Sequence, residues 1–140
     1  MSITDTIHAT CVARGGHAVL LVGRSGAGKS DLALRLIDRG WDLVSDDYTI
    51  VTADARGLIA APPATIAGRI ELRGIGIVTL PHRTDVPVML ICDLDAAVDR
   101  MPESRFDTIA GRTLACIAVA ALEPSAPIKV EQALKRVIAT

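Results

Sequence analysis

The chain has 140 residues, half of them apolar, with a single Phe, a single Trp and a single Tyr. That length suits one domain with a core of its own, spanning residues 1–140, and an aliphatic core suits parallel strands covered by helices. Fifteen Lys and Arg against sixteen Asp and Glu leave a net charge of −1, which excludes the basic footprint of a nucleic-acid-binding domain, and no apolar run approaches the ~20 residues of a membrane span.

In chain order, residues 7–13 read as a short strand and Arg14-Gly15-Gly16 as a turn. Residues 18–22 are a buried strand that runs into Gly23-Arg24-Ser25-Gly26-Ala27-Gly28-Lys29-Ser30. From Ser30 the spacing of Leu32, Ala33, Leu34, Leu36 and Ile37 predicts a helix, with Gly40 as its terminator and Asp31 and Arg35 as an i,i+4 pair. A strand over 43–45 ends at Asp46-Asp47, and residues 48–53 and 58–61 form a hairpin around Asp54-Ala55-Arg56-Gly57. Residues 65–80 hold three glycines and read as strands with a loop between them. Residues 86–93, apolar on both faces, read as a central strand. The charged stretch 93–107 reads as an exposed loop with some helix, and 111–122 and 128–138 as helices. Cys11, Cys92 and Cys116 are odd in number, widely spaced and without a C-x-x-C pair, so they read as buried thiols in a reducing cytoplasm. No basic segment followed by an apolar one marks a secretory leader at the N-terminus. His17 and His82 have no motif around them and read as surface residues.

Residues 23–30 fit G-x-x-x-x-G-K-[ST] at every fixed position, in the order strand, loop, helix. In such a loop the glycines bring backbone N–H groups against phosphate oxygens, and the helix that follows adds its free N–H groups and positive dipole end. Lys29 then supplies a cation for the outer phosphates and Ser30 a hydroxyl for Mg²⁺. Phosphoryl transfer also needs an acidic group near the phosphates. Asp46 and Asp47 end a strand that follows the loop's own helix, where ligands of an open α/β sheet bind. Successive strand side chains face opposite ways, so the two carboxylates do different work.

With Glu71-Leu72-Arg73-Gly74-Ile75-Gly76 added, three ordered motifs resemble the catalytic domain of the HPr kinase/phosphorylase family over nearly the whole chain. The resemblance implies an α/β fold, a P-loop-containing sheet with flanking helices and a core of the phosphoenolpyruvate-carboxykinase-like type. It implies a short form without the family's N-terminal domain, in the cytoplasm and as a homo-oligomer such as a hexamer. The implied activity is ATP-dependent phosphorylation of a serine of HPr, a phosphocarrier of the sugar phosphotransferase system, with phosphorolytic removal in many members. By the same resemblance Lys29 holds the phosphates, Ser30 and Glu71 serve Mg²⁺, and Asp47 is the acid–base with His8 beside it. Asp46 and Arg73 accompany these, Arg100 falls near a downstream catalytic arginine, and Gly111 and Arg112 are what is retained of a loop tied to dephosphorylation. On residues alone, two alternatives stay open: a nucleotide-binding regulatory module without transfer, and a small-molecule P-loop kinase. A GTPase would read guanine with Asn-Lys-x-Asp, and the chain contains no asparagine.

Overall fold

The computed structural model describes residues 2–139. Along the chain run β1 (Ile3–Arg14), β2 (His17–Val22), α1 (Lys29–Asp38), β3 (Asp42–Ser45), β4 (Tyr48–Asp54), β5 (Gly57–Ala61), β6 (Arg69–Leu72), β7 (Gly76–Thr79), β8 (Val86–Asp93), β9 (Arg105–Ile109), β10 (Arg112–Ala118) and α2 (Ala126–Ile138).

Two long strands organise the sheet by changing partners along their length. The first half of β1 pairs antiparallel with β4, from Ile3 opposite Ala53 to His8 opposite Tyr48. Its second half pairs with β2, from Ala9 opposite Val22 to Arg14 opposite His17, and on its other edge with β3. β8 begins antiparallel to β5 at Val86 and Pro87, then runs parallel to both β2 and β10. The ring β1, β2, β8, β5, β4 therefore closes on itself. Alternation along the strands sends Ala9, Cys11, Ala13, Leu20 and Ile91 into the space inside this ring. Val12, Val19, Leu21 and Leu90 face the other way and pack under Leu32 and Leu36 of α1 and Val130 and Leu134 of α2. The β6–β7 ribbon pairs with no other strand among the described residues.

The fold is thus an α/β arrangement, with parallel strand ladders among β2, β8 and β10, a single parallel bridge from Leu43 to His82, and the other strand pairs antiparallel. Three sequence expectations are corrected. Residues 111–122 are not a helix: Arg112–Ala118 is β10, in a hairpin with β9 turned by Ala110 and Gly111 at φ 51° and 81°. Its alanine-rich sequence favours helix locally, but the place between β8 and β9 decides, as strand preference is largely set by packing neighbours. Residues 93–107 contain no helix, and β9 begins at Arg105. The first strand starts at Ile3, because residues 3–7, too polar to read as core, are held by β4.

The start of α1 is set by Gly28, at φ 99°, and its end by Gly40, also at φ 99°, whose N–H reaches Ile37 O at 3.0 Å. Beyond that end lies an ion cluster that fastens α2. Glu131, only 5% exposed, accepts from Arg39 Nη2 at 2.7 Å and Nε at 3.0 Å, from Trp41 Nε1 at 3.0 Å and from Arg14 Nη1 at 3.0 Å. The Arg39 hydrogen bond holds the Glu131 carboxyl below its ordinary value of 4.5, against the opposing effect of burial. All three cysteines are free and buried, and burial pushes the Cys11 and Cys92 thiols up, away from nucleophilic use.

A carboxyl whose pKa is depressed by folding adds stability above its unfolded value and loses it as pH falls through its folded value. Glu131→Gln is expected to cost about 1–3 kcal/mol at pH 7 in urea unfolding. The gap between wild type and variant should narrow as pH is lowered from neutral to below the ordinary value of 4.5.

Candidate functional site

The phosphate loop leaves the C-terminal end of β2, where Val22 sits beside Asp93 of β8, and Asp93 beside Ala118 of β10. The loop is closed by Ala27 N–H to Arg24 O at 3.0 Å and by Arg24 N–H to the Asp95 carboxylate at 2.8 Å. A Cβ at Gly28 would come 3.2 Å from the Ala121 side chain, and its left-handed backbone turns the chain into α1. Lys29 is buried, and its ammonium donates to Gly23 O at 2.6 Å and Arg24 O at 3.0 Å. An ammonium has three N–H groups, so one remains for an anion seated in the loop.

The two aspartates after β3 diverge. Asp46 is 7% exposed, and its carboxylate collects three donors from three elements. These are Ser30 Oγ of α1 at 2.6 Å, Thr10 Oγ1 of β1 at 3.2 Å and the Glu71 N–H of β6 at 3.1 Å. Asp47 has φ 69° and turns outward, its own N–H donating to Thr10 Oγ1 at 3.0 Å. Its side chain, 56% exposed, meets His8 Nε2 at 2.9 Å. The His8 ring in turn lies 5.3 Å from that of Tyr48, its cross-strand neighbour.

The structure therefore brings Ser30, Asp46, Asp47 and His8 to one end of the sheet, beside the loop. Glu71 joins them through its backbone, with its side chain exposed, and Arg73 lies exposed at the turn of the β6–β7 ribbon. Arg100 lies exposed between β8 and β9, and among the described residues it makes no ion pair or hydrogen bond. Gly111 lies in the turn before β10 and Arg112 begins that strand, about 20 Å from its loop end at 3.3 Å per residue, and Arg112 donates to the Asp54 carbonyl at the end of β4. Of the two histidines read as surface residues, His82 is exposed and His17 half-buried.

Two site residues escaped the sequence reading. Thr10 is fully buried and joins Asp46 to the Asp47 backbone; its only signal is a hydroxyl set among the apolar neighbours Ala9, Cys11 and Val12. Asp95 holds the loop's Arg24 N–H, and its signal is an acid two residues beyond the strong strand β8. The donor set fits a magnesium nucleotide. A hydroxyl with a buried carboxylate behind it is an all-oxygen partner for a hard cation, and the loop's N–H groups and lysine are partners for phosphate.

Residues 1–83 match the family described as HPr Serine kinase C-terminal domain. The HPr kinase/phosphorylase of Geobacillus thermodenitrificans is 35% identical over 117 residues, 76% of this chain and 36% of that protein. The HPr kinase/phosphorylase of Levilactobacillus brevis is 32% identical over 113 residues, 75% of this chain and 35% of that protein. The chain thus spans about a third of the length of these curated relatives. Among solved structures, the Hpr(Ser) kinase/phosphatase from Coxiella burnetii superposes with a TM-score of 0.81 at 28% identity, over 94% of this chain and 95% of that one.

Thr10→Val, which removes the hydroxyl and nearly keeps the volume, is expected to cost about 1–3 kcal/mol of stability and to speed hydrogen exchange at the Asp47 amide. Thr10→Ser should restore both, as read by urea unfolding and NMR exchange.

Proposed function

The chain belongs to the family of HPr serine kinase C-terminal domains, and from that premise we propose that it transfers a phosphoryl group from ATP to a serine of a small phosphocarrier protein of the HPr type. The observation that carries the reading is the half-exposed His8–Asp47 pair at 2.9 Å, set one residue from the buried Asp46 that holds the phosphate-loop serine.

Each residue has a distinct task in this reading. The loop N–H groups and the Lys29 ammonium hold the phosphates. Ser30 with the carboxylates of Asp46 and Glu71 makes an oxygen donor set for Mg²⁺, which when bound neutralises charge on the phosphates. Asp47 accepts the proton of the attacking serine hydroxyl. Its Oδ1 is engaged by His8, which leaves Oδ2 to take the proton and fixes the carboxylate's orientation. The exposure of Asp47 suits a protein acceptor, whose hydroxyl arrives on a surface rather than inside a cavity. Phosphorolysis is not part of the proposal, because Gly111 and Arg112 lie at the far end of β10 from the loop. Three free thiols, two of them fully buried, suit a reducing cytoplasm. No helix among the described residues is long and apolar enough to cross a membrane.

The test is incubation with Mg²⁺-ATP and purified HPr, read by mass for phosphoserine. Asp47→Asn is the informative variant, because asparagine tolerates the left-handed backbone that Asp47 adopts. It is expected to keep ATP affinity and to lose transfer by about a hundred- to ten-thousand-fold. Unimpaired transfer by Asp47→Asn would overturn the acid–base assignment. ATP binding by the wild type without labelling would favour a regulatory module instead.

A further inference from the structure

The side of the phosphate loop away from Asp46 and Asp47 carries a second feature. β2 has β1 and, beyond it, β3 on one side, and β8 followed by β10 on the other. Every acid and histidine assigned above to the reacting end lies on the β1–β3 side. On the β8–β10 side, the chain leaving those two strands forms a cavity of about 550 Å³ against Arg24, Gly26 and Ala27 of the loop itself. Its far wall is Leu94, Asp95 and the run from Ala120 to Pro124, which includes Glu123. That volume lies within the range of small-molecule sites.

We propose that this cavity takes the purine base of the nucleoside triphosphate, held by apolar contact rather than read by its hydrogen-bonding edge. The inference rests on residues 23–30 being a phosphate loop and extends that site. A polyphosphate laid along the loop has two ends, and the reacting end belongs beside Asp47 and Ser30. The nucleoside end then emerges over Gly26 and Ala27, into the crevice at the carboxyl ends of parallel β2, β8 and β10.

The cavity wall is built rather than incidental. Arg35 of α1 reaches across and donates to the Ala121 carbonyl and, at 3.1 Å, to the Glu123 carbonyl. Ala120 O is taken by Glu123 N–H at 3.1 Å, and Glu123 O also accepts from Ala126 N–H at 3.0 Å. With these acceptors engaged and the Glu123 carboxylate paired with Lys129 Nζ at 2.8 Å, the wall presents mainly Ala, Leu and Pro side chains to a ligand and few groups that could tell one base from another. Leu122 is 81% exposed at the rim, an apolar side chain that a planar base would cover. Asp95 accepts the Arg24 N–H through Oδ2 and faces Arg24 Nε at 3.9 Å through Oδ1, so its carboxylate is engaged with the loop rather than offered to a base.

The test compares affinities of the full chain for ATP, GTP and inorganic tripolyphosphate, each with Mg²⁺, by titration calorimetry. The wild type is expected to bind ATP and GTP with similar affinity and tripolyphosphate about tenfold or more weaker, the base burying apolar surface that the bare phosphates cannot. Leu122→Ser, which strips the rim, and Ala120→Trp, which fills the cavity, should each lower ATP and GTP affinity about tenfold and leave tripolyphosphate affinity unchanged. Equal affinity of the wild type for ATP and tripolyphosphate overturns the inference. So does a variant pair that weakens neither nucleotide, or weakens nucleotide and tripolyphosphate alike. A wild type that prefers ATP to tripolyphosphate yet labels no serine would sink the kinase reading and leave this one standing.

Discussion

The buried Asp46 carboxylate is the constraint on which the rest of the site depends. A carboxylate out of water is tolerable only when its oxygens are filled with donors. Here Ser30 of α1, Thr10 of β1 and the Glu71 backbone of β6 fill them. Those elements come from distant parts of the chain, so one side chain gathers the helix start, the long strand and the β6–β7 ribbon. The same hydroxyl of Thr10 that serves Asp46 also receives the Asp47 N–H. That shared hydroxyl couples an inward acid to an outward one and supports a backbone conformation rarely taken by a residue with a Cβ.

From this arrangement follows a division across the phosphate loop. On the β1–β3 side lie the charged and titratable groups, close to each other and partly open to solvent. On the β8–β10 side lies a mostly aliphatic wall braced by Arg35. The loop between them is fastened to both, by Ser30 to Asp46 and by Arg24 to Asp95. On the proposed reading each flank serves a different part of a nucleotide, so changes in one are free to leave the other intact.

What the sequence made legible was local. Residues 23–30, the stop at Gly40 and the Asp46-Asp47 strand end are each decided within a few residues, and each stands where it was expected. The 48–61 hairpin was readable for the same reason, alternation broken by a short turn. What stayed hidden depends on partners far along the chain. β10 looks helical by composition and becomes a strand because β8 and β9 flank it. The ring closes because β8 trades β5 for β2 partway along, and no residue in β8 announces that exchange. Strand alternation led to the expectation that Asp46 and Asp47 face different ways; they do diverge, but past the end of β3, where Asp47 turns at φ 69°. Which of them turns inward was settled by Thr10, visible only once β1 and the end of β3 lie side by side.

β1 places His8 and Thr10 at the site, while Ala9, Cys11 and Ala13, the residues interleaved with and following them, fill the ring. A shift of this strand by a single position would turn Thr10 into the apolar interior and set Ala9 against Asp46, because neighbouring strand residues face opposite ways. Misalignment would therefore be penalised twice, by a stranded hydroxyl within the ring and by an acid deprived of a donor outside it. The chemistry of the site thus acts as a proofreader of the fold, and β1 is a segment in which insertions and deletions have nowhere to go.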